Sequence, residues 1–287
     1  MPSMNMNLSR RGLLRGGAAL AVAAALPNTT SAFAAPTTSE SPIRLGIASY
    51  TFRKFNQEQL IGFMKELKTP YLNLKDVHLP MKPLDQVPPT AAKYREAGLT
   101  LTAAGTIYFD KDDDEDIKTK FDYVKAAGIP IIVGAPTRQV LPRVEKFVKQ
   151  YDIKLAIHNH GTEDKQWPSP LDILAVIKNM DPRIGCCVDV GHTMRTGTDP
   201  VEALKKVGPR LFDVHMKDLA QKTVKESQVD VGDGLMPVPA IFRALVAMGY
   251  KGNVDLEYEI NDNNPMPGVT KGFAYMRGVI AGLGLTK

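Results

Sequence analysis

The chain has 287 residues and a formal net charge of +5, from 36 Lys and Arg against 31 Asp and Glu. Three of the positive charges are Arg10, Arg11 and Arg15, which lie in an N-terminal segment without acids, so the remainder carries only about +2. So small a charge argues against nucleic acid as a partner and against binding to an anionic membrane surface.

Residues 1–35 have the pattern of an export signal. The sequence SRRGLLR at Ser9–Arg15 precedes an apolar, alanine-rich run at Gly16–Leu26, and small residues follow at Ala32–Ala35. The apolar run is shorter than the about 20 residues that span a membrane, so no stable membrane insertion is expected after cleavage. The arginine pair makes the segment resemble the twin-arginine class, with an ordinary Sec signal as the alternative. We therefore expect a periplasmic or secreted protein.

Beyond a linker at 36–42 that is rich in Thr, Ser and Pro, short apolar runs alternate with helical patterns. Eight strand–helix pairs are predicted: Ile43–Ser49 with Glu58–Leu67, Tyr71–Lys75 with Thr90–Ala97, Leu99–Ile107 with Glu115–Ala127, Pro130–Gly134 with Leu141–Tyr151, Lys154–His158 with Leu171–Asn179, Ile184–Asp189 with Pro200–Val207, Leu211–Lys217 with Val238–Met248, and Asn253–Glu257 with Gly272–Leu283. Eight such units in about 250 residues predict a closed (β/α)8 TIM barrel, here over residues 43–287. An open, doubly wound sheet is the alternative, which the lack of a G-x-G-x-x-G motif after the first strand disfavours.

Two local features are expected to be structural. The two cysteines, Cys186 and Cys187, are neighbours on a predicted strand and point to opposite faces, so we expect buried thiols and no disulfide framework. The acidic run Asp110–Asp116 lies where the third helix starts, and acidic side chains there favour the positive end of the helix dipole.

Polar side chains recur on the inner face of the last four predicted strands, at their carboxyl ends. His158, Asp189, His215 and Glu257 each occupy such a position. This is the end of a barrel where active sites lie. Each residue alone also fits a structural role, but four unpaired polar groups buried together would be unfavourable, and one divalent cation satisfies all of them.

The ligand set indicates the kind of metal. Two imidazoles and two carboxylates suit Mn²⁺, Co²⁺, Fe²⁺ or Zn²⁺ better than Ca²⁺ or Mg²⁺. Cysteine is absent from the set, which disfavours a closed structural zinc site. We therefore expect an open site with room for two substrate oxygens, as a hydroxyketone or diol offers.

Four segments carry a family resemblance: IHNHG at 157–161, CVDVGH at 187–192, DVHMKD at 213–218 and LEYE at 256–259. They resemble motifs of the sugar phosphate isomerase/epimerase family, part of the xylose isomerase-like barrel superfamily that also includes inosose dehydratases and the endonuclease IV group. The resemblance implies a divalent metal at the ends of strands five to eight. Ketose epimerases of this superfamily use two glutamates there. Glu257 matches the second, whereas His158 stands in place of the first. Dehydratase-like members resemble this chain more closely here, because they also carry histidines after strand five.

Further residues are candidates for the chemistry. Glu257 is a metal ligand and a possible base, and His160 and Lys217 are candidates for proton transfer. Substrate contacts are expected from residues in the loops that follow the strands: Lys75, His78, Trp167, His192 and Arg195. His160, His192 and Lys217 could instead hold the metal ligands in place through hydrogen bonds. Trp167 could instead anchor its loop. The turn at 232–234 is either a loop over the site or a plain turn.

The residues and the resemblance leave three functions open for a small-molecule carbohydrate substrate. The first is a metal-dependent isomerase or epimerase that moves a proton next to a sugar carbonyl. The second is a lyase or dehydratase that uses the same enolisation and expels water or an aglycone, which export and His158 favour. The third is a non-catalytic carbohydrate-binding protein. A DNA endonuclease fits poorly because the chain lacks a basic face. The sequence does not decide whether the chain is a homo-oligomer.

Overall fold

Eight parallel strands close into a barrel in the computed structural model, which describes residues 41–285. The strands are β1 (Arg44–Ala48), β2 (Tyr71–Leu74), β3 (Thr100–Phe109), β4 (Ile131–Pro136), β5 (Lys154–His158), β6 (Ile184–Asp189), β7 (Leu211–Met216) and β10 (Asn253–Leu256). Neighbours in the barrel follow chain order, and β10 closes the ring by pairing with β1. The predicted (β/α)8 barrel is confirmed. The predicted export signal lies outside the described residues.

The helices surround the barrel: α1 (Gln57–Leu67), α2 (Val87–Glu96), α3 (Asp114–Ala126), α4 (Leu141–Tyr151), α5 (Pro170–Ile177), α6 (Val190–Arg195), α7 (Pro200–Val207), α8 (Val238–Ala247) and α9 (Met266–Gly282). Side-chain caps define the first residue of several helices. Asn56 and Gln59 form a reciprocal capping box at α1. The Asp116 backbone N–H donates to Asp113 at the start of α3, which confirms the expectation for the acidic run. No helix in the described part of the chain is long and apolar enough to cross a membrane.

The core has two layers, because successive side chains of each strand point to opposite faces of the barrel wall. Large apolar side chains fill the space between strands and helices, while small ones, Ala103, Val133, Ala156 and Cys187, pack inside the barrel. Cys186 belongs to the outer layer and Cys187 to the inner one, and both are free and buried, as predicted. Burial raises the pKa of both thiols, so neither is reactive.

Two short elements near the carboxyl ends of the strands were not predicted. Helix α6 follows β6 directly, and Asp189 caps it by accepting the His192 backbone N–H at 2.7 Å. A small antiparallel hairpin joins β8 (Asp218–Leu219) to β9 (Gln228–Val229) after β7. The cap fixes the Asp189 side chain at the mouth of the barrel.

Candidate metal centre and active site

The four predicted metal ligands come together at the carboxyl end of the barrel. His158 ends β5, Asp189 ends β6, His215 lies on β7, and Glu257 directly follows β10. All four are buried, and each offers one ligand atom within 4.8 Å of the others. His158 Nε2 lies 3.8 Å from both Asp189 Oδ2 and Glu257 Oε2, and His215 Nδ1 lies 3.1 Å from Glu257 Oε2. We refer to these residues as the four-residue cluster.

The donor atoms of this cluster fit a divalent cation. Asp189 Oδ2 is buried and accepts no well-aligned hydrogen bond within the described residues, although the Lys217 ammonium lies 3.2 Å away. His158 Nε2 and His215 Nδ1 approach each other to 3.1 Å, so two ring nitrogens converge on one point. Two imidazoles and two carboxylates in one buried place form a mixed nitrogen and oxygen set that suits Mn²⁺, Co²⁺, Fe²⁺ or Zn²⁺.

Lys217 supplies positive charge to the same carboxylates. Its Nζ lies 3.0 Å from Glu257 Oε2 and 3.2 Å from Asp189 Oδ2, and it also contacts Glu259. Burial alone would lower the pKa of Lys217, but Asp189, Glu257 and Glu259 outweigh it and raise the pKa well above the ordinary value. Burial would raise the pKa of Glu257, but Lys217 and His215 hold it well below the usual range. Lys217 is therefore protonated and Glu257 is ionised at neutral pH.

Two imidazoles beside this lysine are neutral. Burial lowers the pKa of His158 and of His192 well below 6.5, and neighbouring positive groups add to the effect. Arg195 Nη1 lies 3.0 Å from His192 Nδ1, and Lys217 Nζ lies 3.3 Å from His192 Nε2. Both neighbours can only donate, and a neutral imidazole accepts at only one of its two nitrogens. The neutral His192 ring is therefore held between two cations at the edge of the site.

The His160 ring is oriented by a carboxylate, that of Asp164. Burial raises the pKa of Asp164, but its hydrogen bonds, first that from His160, lower the pKa below the ordinary value. The ionised Asp164 Oδ2 accepts a hydrogen bond from His160 Nδ1 at 3.1 Å. The lone pair of a neutral His160 ring is then on Nε2, which is the arrangement of a general base.

Two adjoining cavities open at this end of the barrel. The inner cavity has a volume of about 230 Å³ and is lined by Tyr50, Lys75, Thr106, Tyr108, His158, His160, His192, Lys217, Glu257 and Glu259. The outer cavity has a volume of about 680 Å³. Tyr108, His160, His192 and Glu259 line both, and Arg195 lines the outer one. Lys75, His160, His192, Arg195 and Lys217 therefore lie where the sequence predicted them to act.

Two predicted substrate contacts are wrong. His78 is buried outside the inner cavity, with Nδ1 at 3.1 Å from Ser49 Oγ and Nε2 at 3.1 Å from the carbonyl oxygens of Phe52 and Phe55. This imidazole ties its loop to the segment after β1, so it has no free face for a sugar.

Trp167 is the second correction. Trp167 is among the residues that line the outer cavity, but its side chain is fully buried. Its Nε1–H donates to the Pro136 carbonyl at 2.5 Å, and the Arg138 guanidinium lies 4.9 Å from the ring centroid. The indole therefore anchors the loop before α5 and is not available to stack on a sugar ring. The turn at 232–234 is a plain turn, since its backbone N–H groups donate to Asp218.

Three polar residues beneath the four-residue cluster were not assigned a role from the sequence. Asn73 Nδ2 lies 3.0 Å from His215 Nε2 and 3.4 Å from Asp213 Oδ2. Asp255 is fully buried, and its carboxylate has no hydrogen bond within the described residues. Burial raises the pKa of Asp213 to about 6 and that of Asp255 well above the ordinary value. A polar residue at an inward position of β2 was the signal that would have identified Asn73.

Comparison with known proteins places the chain in a family. Residues 90–279 match the family model described as the xylose isomerase-like TIM barrel. The chain belongs to this family. The predicted resemblance is thereby confirmed at the level of the superfamily, whose named members include sugar epimerases and inosose dehydratases.

Proteins similar to this chain have different names. The inosose dehydratase of Mesomycoplasma hyopneumoniae (strain 7448) is 27% identical over 163 residues, which cover 50% of this chain and 53% of the dehydratase. The alignment thus spans about half the length of this curated relative. The solved structure of 3-keto-D-glucoside 4-epimerase from E. coli has a TM-score of 0.67 at 17% identity and covers 82% of this chain and 99% of that one. The IolI protein with a bound zinc atom has the same TM-score and identity, with 83% and 99% covered. These two similarities establish the fold.

Proposed function

We propose that the chain is a metal-dependent enzyme that removes a proton next to the carbonyl of a keto sugar or keto polyol and then expels a hydroxyl group as water. The observation that supports this proposal most directly is that one acid and one base lie beside the four-residue cluster. A protonated Lys217 and a carboxylate-oriented His160 line the same inner cavity. Elimination needs one base and one acid, which these two residues supply. The similarity to an inosose dehydratase supports the same reaction class.

His158, Asp189, His215 and Glu257 would hold the divalent cation, which when bound supplies a Lewis acid that polarises the substrate carbonyl. The remaining groups position the substrate and move protons. His160 Nε2 accepts the proton from the carbon, the electrons of that C–H bond form the new double bond, and Lys217 Nζ donates a proton to the departing hydroxyl. Lys75 Nζ, at the wall of the inner cavity, is a donor for another substrate oxygen, and the His192 ring lines the cavity beside it.

Isomerisation or epimerisation is the second candidate. Glu257 and His160 reach the inner cavity from different strands, β10 and β5, so a proton removed by one group can be returned by the other on a second face. The fold similarity to a 3-keto-D-glucoside 4-epimerase supports this outcome. The histidine at position 158 weighs against it, because it replaces the carboxylate that would serve as the opposing base.

One experiment separates the candidates. The metal-loaded protein is incubated in D₂O with 3-keto-glucose and with a keto-inositol, and the products are followed by NMR. We expect metal-dependent loss of water and an unsaturated product, both suppressed by a chelator. Deuterium at the adjacent carbon with an intact skeleton would favour the isomerase or epimerase. Binding without exchange would indicate a carbohydrate-binding protein and overturn the proposal.

Variants assign the two proton carriers. His160→Gln and Lys217→Met are expected to lower kcat by about 10²–10⁴-fold, the contribution typical of a positioned acid or base. Lys205→Met is the matched control, because Lys205 is exposed and pairs with Glu202 at the surface. Equal activities of all three variants would contradict the assigned roles.

We also infer export through the twin-arginine pathway from the residues SRRGLLR at Ser9–Arg15. Cell fractionation tests this. The protein is expected in the periplasm or medium, whereas Arg10→Lys combined with Arg11→Lys should retain it in the cytoplasm. Export of the double variant at the normal level would favour a Sec signal.

A further inference from the structure

The two adjoining cavities differ in size in a way that bears on the substrate. The inner cavity, at about 230 Å³, is smaller than the about 300–1,000 Å³ typical of sites for drug-sized ligands, whereas the outer cavity, at about 680 Å³, falls within that range. The groups assigned to proton transfer lie around the inner cavity. The outer cavity therefore has room for a part of the substrate that does not react.

The boundary between the cavities is formed by aromatic rings. The Tyr108 side chain is half exposed and lines both cavities. Its ring lies parallel to that of His160 with 6.1 Å between centroids, and Lys75 Nζ lies 5.7 Å from its centroid on the inner side. The half-exposed Tyr108 ring at the junction gives a ring that spans both cavities an aromatic surface to contact.

The charge around the outer cavity restricts what it accepts. Five carboxylates line it against two cationic side chains, Arg195 and Lys225. The Arg195 guanidinium is occupied by the Glu163 carboxylate and by His192 Nδ1. An anionic group such as a phosphate would meet a surplus of negative charge, whereas a neutral polyol finds both donors and acceptors.

We propose that the outer cavity binds a neutral second ring that is joined by a glycosidic bond to the reacting sugar, so that the preferred substrate is a keto glycoside or keto disaccharide and not a free monosaccharide or sugar phosphate. This inference rests on the proposed function for the identity of the reacting ring. The second ring packs on Tyr108 and extends past Ile260 in the outer cavity. The first ring lies in the inner cavity, where the proton-transfer groups surround it.

Equilibrium binding of unoxidised sugars tests the outer cavity independently of catalysis. Calorimetry on the metal-loaded full chain compares glucose with cellobiose, maltose and phenyl β-D-glucoside, and glucose 1-phosphate provides an anionic second group. At least one two-ring ligand is expected to bind about tenfold or more tightly than glucose, which corresponds to ~1.4 kcal/mol, and glucose 1-phosphate no more tightly than glucose. Equal affinity for all of them, or preference for the phosphate, would overturn the proposal.

A pair of variants locates the second ring. Ile260→Trp narrows the outer cavity, which Ile260 lines without lining the inner one. This substitution should abolish the tighter binding of two-ring ligands (the two-ring advantage), so the ratio of two-ring to one-ring affinity should fall. Leu235→Trp is the matched control, since Leu235 is exposed and lines neither cavity. If both variants keep the advantage, the second ring lies elsewhere and the inference fails.

The activity of the keto forms distinguishes this inference from the proposed function. Loss of water from 3-keto-glucose and from 3-keto-cellobiose at the same kcat/KM would retain the proposed function and overturn the second-ring site. Tight binding of cellobiose without loss of water from either keto sugar would overturn the proposed function and retain the second-ring site.

Discussion

Replacing Lys217 by methionine tests the charge balance of the candidate metal centre. Lys217 Nζ lies 3.0 Å from Glu257 Oε2 and 3.2 Å from Asp189 Oδ2. At an effective dielectric constant of ~20, each contact supplies about 5 kcal/mol of Coulomb attraction, much of which the desolvation of the charges offsets. Removing one partner leaves the buried carboxylates uncompensated. We therefore expect the metal-free Lys217→Met variant to lose about 3–5 kcal/mol of unfolding free energy.

A bound cation should offset part of this loss. Lys217 and a divalent cation would be held by the same two carboxylates, so the lysine repels the cation. Lys217→Met should bind Mn²⁺ or Zn²⁺ at least about tenfold more tightly than the unaltered protein, which is equivalent to ~1.4 kcal/mol. The cation should then restore a large part of the lost stability, because binding to the folded state alone stabilises it.

Urea unfolding with a chelator, together with calorimetric titration of the metal, measures both quantities. Lys205→Met serves again as the control, since its exposed pair with Glu202 should affect neither quantity. The reasoning is refuted if the metal-free Lys217 variant is as stable as the unaltered protein, or if it binds the metal no more tightly.

Three further predictions concern pH and the corrected residues. Burial alone would lower the pKa of His215, but neighbouring groups, Glu257 among them, raise it well above 6.5, so a proton competes with the metal below that raised pKa. Metal affinity should therefore rise about tenfold for each unit of increasing pH between about pH 5 and 8. An affinity independent of pH would mean that His215 is not a ligand. Trp167→Phe leaves a buried carbonyl without its donor and should lose about 1–3 kcal/mol in urea unfolding; an unchanged midpoint would contradict the anchoring role. His78→Ala should destabilise the fold by a similar amount while kcat/KM on a keto sugar stays the same; a selective loss of kcat/KM would return His78 to the site.

The barrel was predictable because its signals are periodic and repeated. Each of the eight strand–helix pairs appears in the structure within three residues of its predicted bounds, except that α9 begins at Met266, six residues before its predicted start. Helix α6 was missed because its six residues are too few to show an apolar period. The hairpin of β8 and β9 was missed for the same reason, since each strand has only two residues.

The site was predictable only where strand alternation decides the direction of a side chain. Alternation along β5 and β7 placed His158 and His215 on the inner face, where the structure has them. Loops carry no such rule, and the two wrong assignments, His78 and Trp167, both lie in loops. Their burial depends on hydrogen bonds to carbonyl groups distant in sequence, as in the contact of Trp167 with Pro136. Sequence spacing gives no access to such contacts.

The metal content of the purified full chain tests the central claim most directly. After loading with Mn²⁺, Co²⁺, Fe²⁺ or Zn²⁺ and removal of excess ion, elemental analysis should find about one equivalent per chain in the unaltered protein and in His78→Ala, the imidazole control. Asp189→Ala and His215→Ala, with folding checked by circular dichroism, should retain almost none. Stoichiometric metal in the two ligand variants, or none in the folded unaltered protein, would contradict the assignment of His158, Asp189, His215 and Glu257 as the metal site.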